Sequence, residues 1–296
     1  MTSAAVETPN RWVLGARPRT LPAAVVPVAV GTATAVGEGG GLIWWRAGAA
    51  LVVALALQIA TNYVNDYADG QRGTDSHRVG PVRLVAGGLA TVGEVKRAAL
   101  VAFAVAGVAG LALALAAGPE LLVVGAVSML AGWAYTGGPA PYAYRGLGEV
   151  FVFVFFGIVA TAGSSYVQLE RLTALALEAS VPVGLGSVAL LVVNNLRDIP
   201  TDRASGKMTL AVRLGDCGTR RLYHGVVACI GLGIVAVSFT RPWALLGLLG
   251  AVAWWPAVRA VHQGAQGPQL IPVLGATGRA QLLTGLALTL GLAISG

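Results

Sequence analysis

The chain has 296 residues, 56% of them hydrophobic and only 11% charged, with a mean hydropathy of +0.73. A water-soluble domain carries about a quarter charged residues, so too little charge is present to coat a soluble globule. The net charge of +7 and the pI of about 9.9 do not argue for nucleic-acid binding here, because lysine and arginine accumulate in the cytoplasmic loops of membrane proteins.

Residues 1–19 are polar and basic, lack a cleavable signal pattern and are expected as a cytosolic lead-in. The run Trp12 to Pro22 holds Arg17 and Arg19 and is expected either to close over a site or to anchor at the interface. Membrane-crossing helices need about 20 mostly apolar residues. Nine such stretches follow, at 20–37, 46–66, 97–117, 119–136, 147–167, 174–196, 222–240, 242–261 and 277–295. Alternation over ten-residue strands, the mark of a membrane barrel, is absent. The expected fold is an all-α polytopic membrane protein, a nine-transmembrane-helix bundle in one domain over 1–296. With the N-terminus cytoplasmic, all but three of the 20 Lys and Arg fall on the cytoplasmic side, the exceptions being Arg46, Arg171 and Arg241. The positive-inside rule favours that orientation.

Two cytoplasmic loops, at 67–96 and 197–221, are longer and more charged than the others, and each follows a span that ends in Asn and Asp. The first cluster is Asn62, Asn65, Asp66 and Asp69, continuing through Arg72 to Asp75. If the helix persists, the first four lie at i, i+3, i+4 and i+7 and share a face. In the second, Asn194, Asp198 and Asp202 lie at i, i+4 and i+8. Pro200 disfavours helix at the residue before it, which would leave Asp202 on the loop. Carboxylate and amide oxygens are hard ligands suited to Mg²⁺. Basic residues follow each cluster, Arg72, Arg78 and Arg83 after the first and Arg203, Lys207 and Arg213 after the second. Loop basicity alone accounts for any one arginine but not for paired carboxylates at helical spacing. Two acidic clusters with basic neighbours suit a magnesium diphosphate, whose departure as pyrophosphate is helped by metal and cationic side chains. A transporter would more often place its acids at mid-span. Tyr135, Tyr142 and Tyr144 are candidates for stacking on an aromatic acceptor, or for an interfacial belt, and Glu149 lies just inside the fifth span. Cys217, Cys229 and the three histidines have no metal or redox spacing.

With these residues in view, the chain resembles the UbiA superfamily of intramembrane prenyltransferases over almost its whole length. Asn65-Asp66-Tyr67-Ala68-Asp69 resembles that family's first aspartate motif and Asp198-Ile199-Pro200-Thr201-Asp202 its second. The family pattern expects another acid at 73, where Gly73 stands; the next is Asp75. Within the superfamily the chain is similar to the MenA branch, the 1,4-dihydroxy-2-naphthoate polyprenyltransferases. Ala16-Arg17-Pro18-Arg19-Thr20-Leu21-Pro22-Ala23, Gly146-Leu147-Gly148-Glu149-Val150 and the run from Gly206 to Gly215 carry that likeness. The resemblance implies a Mg²⁺-dependent enzyme in the membrane lipid. Such an enzyme moves a polyprenyl group from its diphosphate to 1,4-dihydroxy-2-naphthoate, with loss of CO₂, to give demethylmenaquinone. It also implies Asn62, Asn65, Asp66, Asp69, Asp198 and Asp202 as metal ligands, the four aspartates being catalytic. Arg72, Arg78 and Lys207 would contact the diphosphate, and Arg17, Tyr142, Arg145 and Glu149 the naphthoate. The other readings are an acceptor such as 4-hydroxybenzoate or haem on the same fold, or an ion-coupled transporter.

Overall fold

A computed structural model describes residues 10–74, 80 and 82–295. Asp75, His77 and Arg78 lie outside them. The described residues are helical with no strand. In order they form α1 (Arg11–Ala16), α2 (Pro22–Gly37), α3 (Trp44–Arg72), α4 (Val92–Ala117), α5 (Glu120–Ala134), α6 (Gly148–Val152), α7 (Ala160–Leu169), α8 (Ala174–Ala204), α9 (Leu210–Ser238), α10 (Ala251–His262) and α11 (Leu270–Ala293). A π-helical segment, Phe153–Val159, joins α6 to α7, and a 3₁₀ segment, Pro242–Gly250, leads into α10. Each of the nine apolar stretches coincides with a helix. Six continuous helical segments are long and apolar enough to cross a membrane, and α2 qualifies together with the lead-in it meets at a 53° bend. The 15-residue α5 is a shorter apolar helix.

The outer helices show their apolar side chains outward. Val101, Val108 and Leu115 on α4 and Leu232 on α9 are exposed, as expected where lipid rather than water is the solvent. The hub is α8, with 72% of its apolar window buried against 28% for α4 and α9. Small residues permit that packing. A Cβ on Gly157, in the π segment, would stand 2.6 Å from the Cα of Gly184 on α8, so the two backbones touch.

Helix runs into both expected loops, into part of the first and through most of the second. The first motif stays helical because α3 runs on to Arg72 and stops at Gly73, whose φ of 74° is the left-handed C-cap conformation that glycine adopts at little cost. The four side chains Asn62, Asn65, Asp66 and Asp69 therefore do share a helix. Likewise α8 continues through Pro200 to Ala204, so Asp202 is on the helix, not the loop. Proline removes one backbone hydrogen bond, a loss tolerated within a membrane bundle when neighbours are packed around it.

Charge is divided between the two ends. At one end lie both acidic motifs and most basic residues. The three basic exceptions gather at the other: Arg46 bonds Glu170 at 2.8 Å, and Arg241 and Arg171 both reach Glu38, at 3.2 and 3.6 Å. Replacing Gly157 by valine should force the π segment off α8 and lower stability by about 1–3 kcal/mol. Thermal unfolding of the detergent-solubilised protein measures this, and an unchanged midpoint would refute the close contact.

Candidate active site

A cavity of about 630 Å³ opens between the helices at the motif end and runs into the bundle. Its polar mouth is lined by Arg17, Asn62, Asn65, Arg83, Asn194 and Arg197, and its depth by apolar side chains such as Val53, Leu113, Val124 and Phe155. One end thus suits an anion and the remainder an apolar chain.

Asp69 is 1% exposed and accepts a hydrogen bond from Tyr144 Oη at 2.8 Å and one from Lys207 Nζ at 3.1 Å. These partners come from the segment between α5 and α6 and from the turn between α8 and α9. Burial works against the Lys207 charge, but Asp69 and Asp202 outweigh it and hold its pKa above the ordinary lysine value. Burial and then the charge of Asp69 push the Tyr144 phenol upward. Asp202, also buried, has Thr209 Oγ1 at 3.5 Å from Oδ2. Asp198 is gripped by its neighbour Arg197, Nε to Oδ1 at 2.7 Å and an Nη to Oδ2 at 2.8 Å.

Several side chains have duties that spacing alone did not suggest. Both oxygens of Asp66 accept backbone N–H groups, Leu84 at 2.9 Å and Val85 at 3.0 Å. The first aspartate is therefore also the anchor of the 83–90 turn. Asn62 donates to Ala16 O at 2.9 Å and Thr20 Oγ1 at 3.3 Å, while Arg17 donates to Asn62 O. With Tyr63 Oη donating to Trp12 O, these bonds draw the lead-in across the cavity mouth instead of leaving it as a free tail. Arg72 donates to Thr136 O and Gly138 O and lies over the Tyr144 ring, bracing the loop after α5, and it is off the cavity wall. Arg145 is exposed and lies off the cavity wall, so the structure does not bring it to an acceptor. Tyr142 does line the cavity, its ring stacked on Phe151 at 3.9 Å and its hydroxyl donating to Ala131 O. Glu149 is buried behind that wall, with Asn195 Nδ2 donating to its Oε1 at 2.9 Å.

Two further arginines line the mouth: Arg83, one of the basic residues that follow the first motif, and Arg197, to which spacing gave no role. Arg83 is 7% exposed and is set by the turn that Asp66 holds. Arg197 sits inside the second motif and could have been found there, since a basic residue beside a membrane aspartate needs a partner.

The site fits a magnesium ion. The buried Asn65 Oδ1 on the cavity wall has no hydrogen-bond partner among the described residues, and Asn62 and Asp69 lie about one helical turn to either side of it on α3. No three His, Cys, Asp or Glu side chains among the described residues converge on one point. Magnesium commonly takes one or two carboxylates, waters and substrate phosphates instead of a protein cage, so that openness is compatible with it.

Comparison with known proteins identifies the family. The profile of the UbiA prenyltransferase family matches residues 24–269. The chain belongs to that family. It is accordingly a prenyltransferase. It is 49% identical to the 1,4-dihydroxy-2-naphthoate octaprenyltransferase of Mycobacterium tuberculosis (strain ATCC 25618 / H37Rv), over 96% of this chain and 97% of that protein. To the enzyme of the same name from Escherichia coli (strain K12) it is 36% identical, over 100% and 99%. Its fold is similar to that of a UbiA homolog from Archaeoglobus fulgidus bound to GPP and Mg²⁺, with a TM-score of 0.70 at 12% identity over 96% of this chain and all of the other. The apo UbiA homolog from Aeropyrum pernix K1 matches with a TM-score of 0.70 at 14% identity over 89% and 96%.

Asp66→Ala would leave the buried Leu84 N–H and the half-buried Val85 N–H without that partner, at about 1–3 kcal/mol for a buried group. Its expected signature is lower thermal stability together with lower activity, whereas Asp69→Asn should depress activity more than stability. Equal stability of Asp66→Ala and the parent would overturn the anchor role. Raising a lysine pKa adds stability that is complete below the ordinary value and is lost as pH rises through the folded one. Unfolding midpoints should therefore show no step from the Lys207–Asp69 pair between about pH 7 and 9.5. Lys207→Met should lower stability across that window by about 3–5 kcal/mol, since it leaves Asp69 buried without its cation.

Proposed function

We propose that the chain is a 1,4-dihydroxy-2-naphthoate polyprenyltransferase acting in menaquinone biosynthesis. The observation that carries this reading is a single cavity with a guanidinium- and amide-lined mouth and an apolar shaft. That cavity accommodates a diphosphate and a polyprenyl tail, and the chain's relatives are named for this reaction.

Bound magnesium would neutralise the diphosphate's charge as pyrophosphate leaves, held by Asn65, Asp69, Asp198 and Asp202. The protein's own cations share that task, with Lys207 beside Asp69 and Arg83 and Arg197 at the mouth. The allylic C–O bond breaks, and its electron pair departs with pyrophosphate. Ring electrons of the naphthoate form the new C–C bond to the prenyl carbon. The bond to the carboxyl then breaks, CO₂ leaves and the pair it releases restores the aromatic ring, giving the quinol of demethylmenaquinone. The stacked Tyr142 and Phe151 present π faces that favour a developing carbocation and can stack on the acceptor. Arg17, on the mouth, suits the naphthoate carboxylate. Sequestering these steps from bulk water is the work of the lead-in drawn over the opening by Asn62 and Tyr63.

The nine helical stretches are assigned as nine spans of a multi-pass protein of the cell membrane, with the N-terminus and both acidic motifs facing the cytoplasm. The segregation of Arg46, Arg171 and Arg241 at the opposite end supports that orientation. Cys217 is an exposed free thiol near the motif end. A membrane-impermeant maleimide should label it in inverted vesicles but not in intact cells, and the reverse pattern would overturn the orientation.

Turnover is tested with purified protein, a panel of polyprenyl diphosphates and aromatic acceptors, with and without Mg²⁺. Pyrophosphate and CO₂ should be released together from the dihydroxynaphthoate, and only with the metal. Pyrophosphate release with 4-hydroxybenzoate in place of the naphthoate would reassign the acceptor.

A further inference from the structure

Arg197 stands at the junction of the cavity and the second acidic motif. Its side chain is only 1% exposed, yet it lines the cavity. One face of its fork holds both oxygens of Asp198, and the same terminal nitrogen donates to Asn194 Oδ1 at 2.8 Å. Successive helix residues do not normally face each other, so the guanidinium has to fold back along α8 to reach its own neighbour. Gly80 leaves room for it: a Cβ there would stand 3.2 Å from the Arg197 Cζ.

A carboxylate clasped by a guanidinium has no net charge left for a metal ion, and a guanidinium clasped by a carboxylate has none left for a phosphate. Both groups are needed by the chemistry assigned to this cavity. A diphosphate offers the same planar pair of oxygens that Asp198 offers, with greater charge. We propose that Arg197 is a diphosphate-binding residue that Asp198 holds in reserve as a substitute anion. The divalent cation and the prenyl diphosphate then bind cooperatively by exchanging partners, the cation taking Asp198 and the diphosphate taking Arg197. This proposal rests on the prenyltransferase reading above. It adds that neither ligand alone breaks the pair cheaply, because either one strands a buried charge. Coupling between ligands is reciprocal, so each should raise the other's affinity by the same factor.

The test uses the full-length protein in nanodiscs. Mn²⁺ binding is read by electron paramagnetic resonance, and binding of inorganic pyrophosphate and of a non-reactive prenyl thiodiphosphate by calorimetry, each alone and with the other ligand saturating. In the parent protein, coupling of about tenfold or more is expected. Arg197→Gln should tighten Mn²⁺ binding measured alone, weaken both diphosphates about tenfold in saturating Mn²⁺, and abolish the coupling. Asp198→Asn should do the converse, tightening metal-free pyrophosphate binding and weakening Mn²⁺. A merely structural pair would lose both affinities together in both variants, and that outcome overturns the proposal. So does an Arg197→Gln protein whose diphosphate affinity equals the parent's. If Arg197→Gln does not fold, Arg197→Lys and Asp198→Asn carry the test. The lysine variant should keep the charge, lose the fork and show intermediate coupling, whereas unchanged coupling refutes the exchange. Failure of the parent protein to bind either Mn²⁺ or diphosphate would instead count against the prenyltransferase reading itself.

Discussion

Asp69 is buried between a tyrosine and a lysine from two different parts of the chain. Much else in the molecule follows from that arrangement. A carboxylate cannot lie unpaired at the end of an apolar bundle, because desolvation of an isolated charge costs more than folding can supply. Each buried acid therefore recruits a partner, and several of the partners come from far along the chain. Tyr144 brings in the segment after α5, Lys207 brings in the turn after α8, and Asp66 draws the 83–90 turn down onto α3. The motif end is built by satisfying these carboxylates, and the cavity opens beside them, with Arg83 and Arg197 on its wall.

The same requirement shapes the resting state of the site. Lys207 on Asp69 and Arg197 on Asp198 pair one carboxylate of each acidic motif with a cation before any ligand arrives. An incoming diphosphate and its cation bring charges of both signs, so they can take over those partners without creating an uncompensated group. The depth of the cavity needs no such exchange. Its wall is aliphatic and aromatic, and the π-helical turn at Phe153–Val159 displaces the register of one helix where Phe155 and Phe156 meet the cavity, as such turns often do at functional sites.

Much of the site was legible in the residues. The spacing of Asn62, Asn65, Asp66 and Asp69 put them on one helix face, and the charge bias sorted the ends of the bundle. The individual duties were not legible. Asp66 and Asp69 are three residues apart and look equivalent, but one meets two backbone N–H groups and the other meets two side chains. Arg72 looked like a phosphate ligand because it follows an acidic motif, but the carbonyls of Thr136 and Gly138 lie within its reach. Arg197 drew no role from spacing, although it lies in the motif and on the cavity wall.

Hydropathy, charge bias and motif spacing by themselves determined that this chain is a helical membrane protein with two acidic centres at one end. These properties are local or additive, so they survive without knowledge of the fold. Only the tertiary structure decided which acid is an anchor, which is held by a lysine and which by an arginine. Those choices depend on side chains up to 138 positions apart in the chain, and a buried charge takes whichever donor the packing brings within about 3 Å.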